Sequence, residues 1–336
     1  MRREGVHAPV QIQLSLAEIQ RHDVDLILNP DPEFAEEYDR CVSLGKQAAK
    51  FRSVAFVGIC RNAMPFLPFT LKRVEQAGEM FRHSWTFLYE NDSTDETKDY
   101  LTHWKESGPD RHCEMRNNGR PHLNFTKAAE RTHALAEYRN QCRLWVAEKT
   151  NADYVVVFDT DPWGGFSVDG IANTIGHLED FKEYSNASGM ASYSWCEWGP
   201  PVWSQPTLCH YDAWACRWTW WKERQDMLWF HLWHPPVGSP PVRMNSAFGQ
   251  LAVYRASDYI AGQYTGGDCE HVPFHKSLGG DFYVNPSSRV VSFWIPEHER
   301  QEAEGRRMHS DVHEDVVGGD ADSNHRRDAE DISGSV

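Results

Sequence analysis

An α/β fold with a mixed central sheet flanked by helices is the class this sequence predicts, and three observations carry it. Short apolar runs at residues 53–59, 85–90 and 153–158 alternate with segments of helical spacing. The third run, DYVVVF, is apolar almost without a break, as a strand covered on both faces must be. Each run ends in a polar turn, and open α/β sheets bind ligands beyond the carboxyl ends of their strands.

The elements follow in order. Residues 1–51 carry helical signals, with Ser15-Leu16-Ala17-Glu18 as a capping box and a helix-like run over 33–50, and read as a helical extension packed on the main domain. The strand at 53–59 leads through Cys60-Arg61-Asn62 into a helix at 71–77. The strand at 85–90 ends in Asn91-Asp92-Ser93-Thr94-Asp95, where Ser93 or Thr94 can cap a helix over 97–104. A helix over 128–149 precedes the strand at 153–158. Beyond Gly170 the pattern is less regular, with strands expected near 190–195, 248–254 and 289–294 and a Trp- and Pro-rich segment at 195–241. Residues 301–336 are acidic and poor in large apolar side chains, a composition that predicts a disordered tail.

Bulk properties narrow the function. The 336 residues hold no run approaching the roughly 20 apolar residues of a membrane span. The first residues lack the apolar core of a secretory signal, and the eight cysteines show no CxxC pair, so reduced thiols and a cytoplasmic location are expected. A net charge of -15 disfavours a nucleic-acid partner without excluding a local basic groove.

The chemistry centres on Asp159-Thr160-Asp161, which leaves the strongest strand and precedes Pro162-Trp163-Gly164-Gly165. Carboxylates at positions i and i+2 can both turn toward a divalent cation once the strand relaxes, and hard oxygen ligands favour Mg2+ or Mn2+ over zinc. Such a cation would neutralise a diphosphate leaving group. The alternative is a solvated acidic turn.

Context favours the first reading. The segments SVAFVGICRNA, YENDSTDET, Ala136-Glu137-Tyr138-Arg139-Asn140 and DYVVVFDTD, in that order, resemble the GT-A glycosyltransferases, and in particular family-2 enzymes and the fungal capsule-associated mannosyltransferase-like family. The resemblance covers residues 53–161 well and the remainder weakly. It implies a catalytic domain over 52–300, with a nucleotide-binding half at 52–165 and an acceptor half at 166–300. It also implies that Arg61, Glu90, Asn91 and Asp92 hold the nucleoside, and that Arg139 lies near the diphosphate or the DxD turn. A family-2 enzyme usually has Asp where this chain has Glu90 or Asn91. For Arg139 the alternative is a surface arginine paired with Glu137 or another neighbour.

The same resemblance places the loop containing Gly249 beside the donor sugar and an acidic pair at Asp268 and Glu270. Glu270, favoured over Asp268, would deprotonate an acceptor hydroxyl in an inverting mechanism or hold the acceptor in a retaining one. Among His271, His275 and His298, His271 is the expected third metal ligand beside Asp159 and Asp161. Within the pair, Asp161 is expected to ligate directly, and Asp159 to face the ribose or a metal-bound water. Nine of the fourteen tryptophans lie between Trp195 and Trp233, a possible sugar-stacking wall, and Trp163 is the best placed to touch the donor.

The reading is therefore a metal-dependent hexosyl- or pentosyltransferase with a nucleotide-sugar donor and a hydroxyl acceptor that is a glycan, a protein, a modified nucleic acid or another hydroxyl compound. A nucleotidyltransferase on a similar sheet and a Trp-rich carbohydrate-binding protein are the alternatives.

Overall fold

The computed structural model describes residues 29–123, 128–180, 182–198, 207–212, 214–220 and 233–292. All of the described residues belong to one compact unit. The expected capping box at Ser15 and the expected tail lie outside the described residues.

Helix α1 (Ala35–Ala49) precedes β1 (Ser53–Cys60), α2 (Leu67–Gly78), β2 (His83–Asn91), α3 (Thr97–Glu106), β3 (Arg111–Arg116), α4 (Ala129–Lys149) and β4 (Tyr154–Asp159). There follow β5 (Gly165–Phe166), α5 (Val168–Asp180), β6 (Ala187–Trp198), β7 (Thr207–His210), β8 (Val242–Met244), β9 (Leu251–Arg255), α6 (Ala256–Ala261), α7 (His271–Ser277) and β10 (Asp281–Val291).

Among the described residues the strands form one sheet ordered β3-β2-β1-β4-β9-β6-β10-β5, with β7 on β6 and β8 on β10. The half from β3 to β4 is parallel, β9 runs antiparallel to both β4 and β6, and β10 returns parallel to β6. The expected α/β class and mixed sheet are both present. Strand alternation splits the core between two faces. Ala55, Val57, Val155 and Val157 pack with Ala136, Cys142 and Val146 of α4, while Val54, Phe56, Val156 and Phe158 pack with Leu71 and Val74 of α2 and Ile171 and Ile175 of α5. Apolar burial on both faces is why β1 and β4 read as continuous hydrophobic runs.

Helix α1 lies against α5. An added Cβ at Gly45 would fall 1.7 Å from the Ala172 carbonyl oxygen, and one at Gly176 would fall 2.2 Å from that of Cys41, so the two backbones touch. Lys46 closes the edge of this seam on Asp169 at 2.6 Å.

Three expectations change. Neither Ser93 nor Thr94 caps α3; instead Asp95 accepts the Thr97 N–H at 3.1 Å, because Ser93 is held by Glu90 and bonds the Asn62 N–H. The strand expected from residue 248 begins at Leu251, since Gly249 and Gln250 both take left-handed backbones. The strand expected near 289–294 begins at Asp281, and α5 and β3 arise where no element was expected.

Candidate functional site

The carboxyl ends of β1, β2 and β4 open into a cleft of about 810 Å³. Arg61 and Asn62 line it after β1, Asn91 at the end of β2, Asp159 at the end of β4 and Asp161 just after it. Arg139 of α4, Phe248 and Gln250 before β9, and Glu270 and His271 at the start of α7 complete the floor.

Arg139 organises this floor. Its Nη2 donates to Asp159 Oδ1 at 2.9 Å and its Nε to Glu270 Oε1 at 2.9 Å, joining β4 to the start of α7. The side chain is only 5% exposed, and the guanidinium lies 4.8 Å from the Phe248 ring centre. Burial alone would lower the Arg139 pKa, but Asp159 and Glu270 outweigh it and hold it above its usual value. Glu137 pairs with Arg120 instead, at 2.6 Å, so the surface alternative for Arg139 fails.

Burial pushes the Asp159 carboxyl up to about 7, against the pull of Arg139 and with help from the repulsion of Asp161. Asp161 is exposed to the cleft, although protein surrounds it closely enough to raise its pKa as well. Its carboxylate is available to a ligand in a way that the Asp159 oxygen held by Arg139 is not.

His271 is 2% exposed and stacks on Phe248 with ring centres 3.8 Å apart. Neither ring nitrogen has a hydrogen-bond partner; the nearest carboxylate oxygen, Glu270 Oε1, stands 3.5 Å from Nε2. Burial and the Arg139 charge keep the imidazole neutral, the form that ligates metals.

Among the described residues no three His, Cys, Asp or Glu side chains form a ready-made metal cluster. An exposed Asp161, a nearby Asp159 and an unpartnered neutral histidine nonetheless fit a cation of the magnesium type. Such ions take one or two protein carboxylates and complete their shell with substrate phosphate and water. The donor set suits a metal shared with a ligand, not a closed protein cage.

The other expected residues divide. Arg61 lines the cleft and donates to the carbonyls of Arg120 and Pro121 at 2.9 and 3.4 Å. Asn91 bonds Asp92 and Tyr138, while Asp92, left-handed at φ 55°, accepts the Gly119 N–H at 2.9 Å. Glu90 is buried beneath them, one oxygen accepting the Ser93 N–H and the other unpaired. Gly249 is left-handed, and a Cβ there would sit 2.0 Å from the Ser192 carbonyl oxygen, so only glycine fits. Trp163 stacks on Phe66 at 5.2 Å and does not line the cleft. Nor does Asp268, which pairs with the buried Arg217 at 3.2 Å.

Two features escaped sequence reasoning. Asp212 accepts the N–H groups of Phe248 and Gly249 at 2.8 and 2.7 Å and so fastens the loop that carries the Phe248 ring; its burial raises its pKa to about 6 against those bonds. Arg61, Arg120 and Arg131 all line the cleft despite the net charge of -15, Arg120 paired with Glu137 and Arg131 lying 5.1 Å over Trp214. Trp214 is thus the tryptophan of the rich segment that lines the cleft, whereas Trp218 and Trp220 are exposed and Trp203, Trp221 and Trp229 lie outside the described residues.

No family model matches the chain, and no curated protein matches it. Solved structures similar to it are glycosyltransferases of the GT-A type. The crystal structure of GalNAc-T7 with UDP, GalNAc and Mn2+ aligns at 14% identity and a TM-score of 0.46, covering 80% of this chain and 55% of that one. A mannosyltransferase from Pyrobaculum calidifontis in complex with GDP-Man and Mn2+ aligns at 12% identity and a TM-score of 0.40, covering 91% and 77%. TarS 1–349 of S. aureus with UDP-GlcNAc aligns at 10% identity and a TM-score of 0.40, covering 73% and 58%. The chain therefore spans about half of the GalNAc-T7 structure. These are likenesses of fold, and the ligands in those crystals belong to those proteins.

Proposed function

We propose that this chain is a metal-dependent glycosyltransferase of the GT-A type, moving a sugar from a nucleotide donor to a hydroxyl acceptor. The observation that supports it above all is the chain of contacts Asp159, Arg139, Glu270 across one cleft floor, with Asp161 facing the open space beside it. Asp161, Asp159 and His271 would hold Mn2+ or Mg2+. When bound, the cation supplies Lewis-acid stabilisation of a diphosphate leaving group.

The protein's own groups do the rest. Arg61 and Asn91 line the nucleoside end at β1 and β2, with Glu90 and Asp92 bracing the turns behind them, and the arginines that line the cleft add attraction for phosphate. Arg139 fixes the orientation of Asp159 and Glu270 through its two ion pairs. Glu270 takes the acceptor hydroxyl's proton or holds the hydroxyl; its place in the cleft supports this role better than the pairing of Asp268 with Arg217 supports Asp268. The domain limits follow the same reading, with the donor half at 52–165, the acceptor half at 166–300, and a glycan, protein or other hydroxyl compound as acceptor. No helix among the described residues is long and apolar enough to cross a membrane, and a cytoplasmic location is part of the proposal.

A screen of sugar nucleotides for manganese-dependent hydrolysis tests the reading directly. Asp161→Ala is expected to cut that hydrolysis about a hundredfold, the scale of a lost metal contact. Full activity in Asp161→Ala would remove the metal assignment. Calorimetric titration with and without EDTA separates the reading from a metal-independent carbohydrate-binding protein, and product analysis separates it from nucleotidyl transfer.

A further inference from the structure

Among the described residues, those other than glycine with left-handed backbones are Asn62 at φ 49°, Asp92 at φ 55° and Gln250 at φ 60°. Asparagine and aspartate enter this conformation readily because a short polar side chain can bond nearby backbone; glutamine has no such compensation. The first two side chains are engaged inside the protein. Asn62 Oδ1 accepts the Thr94 N–H at 2.8 Å, and Asp92 Oδ1 accepts the Gly119 N–H at 2.9 Å.

Gln250 differs. It is 8% exposed, it lines the cleft, and its Oε1 is buried without a hydrogen-bond partner. Its backbone is fixed, since its carbonyl accepts the Asp159 N–H at 2.8 Å and so tethers it beside the first Asp of the pair. A glycine would satisfy the left-handed geometry without burying an unpaired amide oxygen. Strain and an unmet polar atom at one position in a cleft are together the mark of a residue kept for a ligand.

The chemistry of the amide narrows that ligand. A neutral amide both donates and accepts, which suits a hydroxyl; a phosphate would draw on cations, and Arg61 and Arg131 elsewhere in the cleft lining supply those. We infer that Gln250 is a specificity-determining residue whose side-chain amide hydrogen-bonds a hydroxyl of the donor's sugar. The inference rests on the glycosyltransferase reading above.

Titration calorimetry in Mn2+ with UDP, GDP, UDP-glucose, UDP-galactose, UDP-GlcNAc and GDP-mannose tests it, on the wild type, Gln250→Gly and Gln250→Ala. For the sugar nucleotide that binds tightest, the gain in affinity over its free diphosphate is expected to fall about three- to tenfold in both variants, the worth of one neutral hydrogen bond. Affinity for the free diphosphate should not change, and Gln250→Gly should melt no lower than the wild type because glycine relieves the backbone. An unchanged gain, or an equal loss for the free diphosphate, overturns the role of Gln250 and leaves the glycosyltransferase reading standing. A wild type that binds none of the six overturns both.

Discussion

Where α1 crosses α5, the contact is backbone against backbone, set by Gly45 and Gly176 and sealed by small side chains. The cleft floor is buried just as deeply at Arg139 and Glu270, yet its neighbours are charges, and His271 has two nitrogens without partners. Close backbone fit is the main constraint on the first region, with ion pairs only at its edge, and stability sets its residues. Charge constrains the second, which keeps groups that folding would be better without. Burial by itself therefore says little about what a residue is for; unmet polar atoms say more.

The comparison can be broken most sharply at Arg139. Arg139→Met should destabilise the fold by about 4 kcal/mol, because two carboxylates lose the cation between them. Urea denaturation measures this, and adding Asp159→Asn and Glu270→Gln to the same chain should recover most of the loss. If the triple variant stays as unstable as the single one, the floor is held by packing, as the seam is.

At the seam, Gly45→Ala should cost about 3 kcal/mol, at the upper end of ordinary overpacking, since the new methyl meets carbonyl backbone that cannot swing away. The same denaturation series reads it. A small effect there would mean that the helices can part easily.

Acid probes both regions at once. Burial lowers the pKa of His177, on α5, to about 4, and that of His275, between Ser246 and Tyr254 behind the cleft, to about 3. Both pKa values are lower folded than unfolded, so the unfolded chain binds more protons below about pH 6.5. Their stabilisation is complete above that pH and is lost as pH falls toward 4 and 3, at up to about 1.4 kcal/mol per pH unit for each group. Thermal melts from pH 7 to 4 should show the decline, and His177→Gln or His275→Gln should flatten it.

The smallest effect is expected at Lys46, whose bridge to Asp169 is partly exposed; Lys46→Ala should cost under about 1 kcal/mol, and less in high salt.

What the sequence disclosed follows the same divide. Strands β1, β2 and β4 were legible because burial on both faces leaves continuous apolar runs. The DTD turn stood out because it ends the apolar run of β4, whereas Arg139 in mid-helix and Glu270 and His271 at the start of α7 were picked out only through the family resemblance. Helix α5 was not legible: every position from Gly170 to Leu178 is buried, and its glycines (Gly170, Gly176) and β-branched residues (Ile171, Thr174, Ile175) are weak helix formers, so the segment does not announce a helix. Strand β3 hid for another reason: RHCEMR is a polar edge strand. Asp212 and Gln250 carry no sequence signal at all. Asp212 acts on amides some 36 positions away, and the role of Gln250 lies in what its amide lacks.

The buried guanidinium of Arg289 on β10 donates to the Tyr38 hydroxyl of α1 at 2.7 Å and to Ser167 at 3.2 Å. Tyr38 and Arg289 stand 251 positions apart. The earliest helix among the described residues is thus locked by a strand synthesised long after it, and the nascent chain must hold α1 unsealed until β10 emerges. So distant a closure slows folding and makes the unit cooperative from end to end. Hydrogen exchange in α1 should accordingly follow that in β10, not that in its sequence neighbour β1.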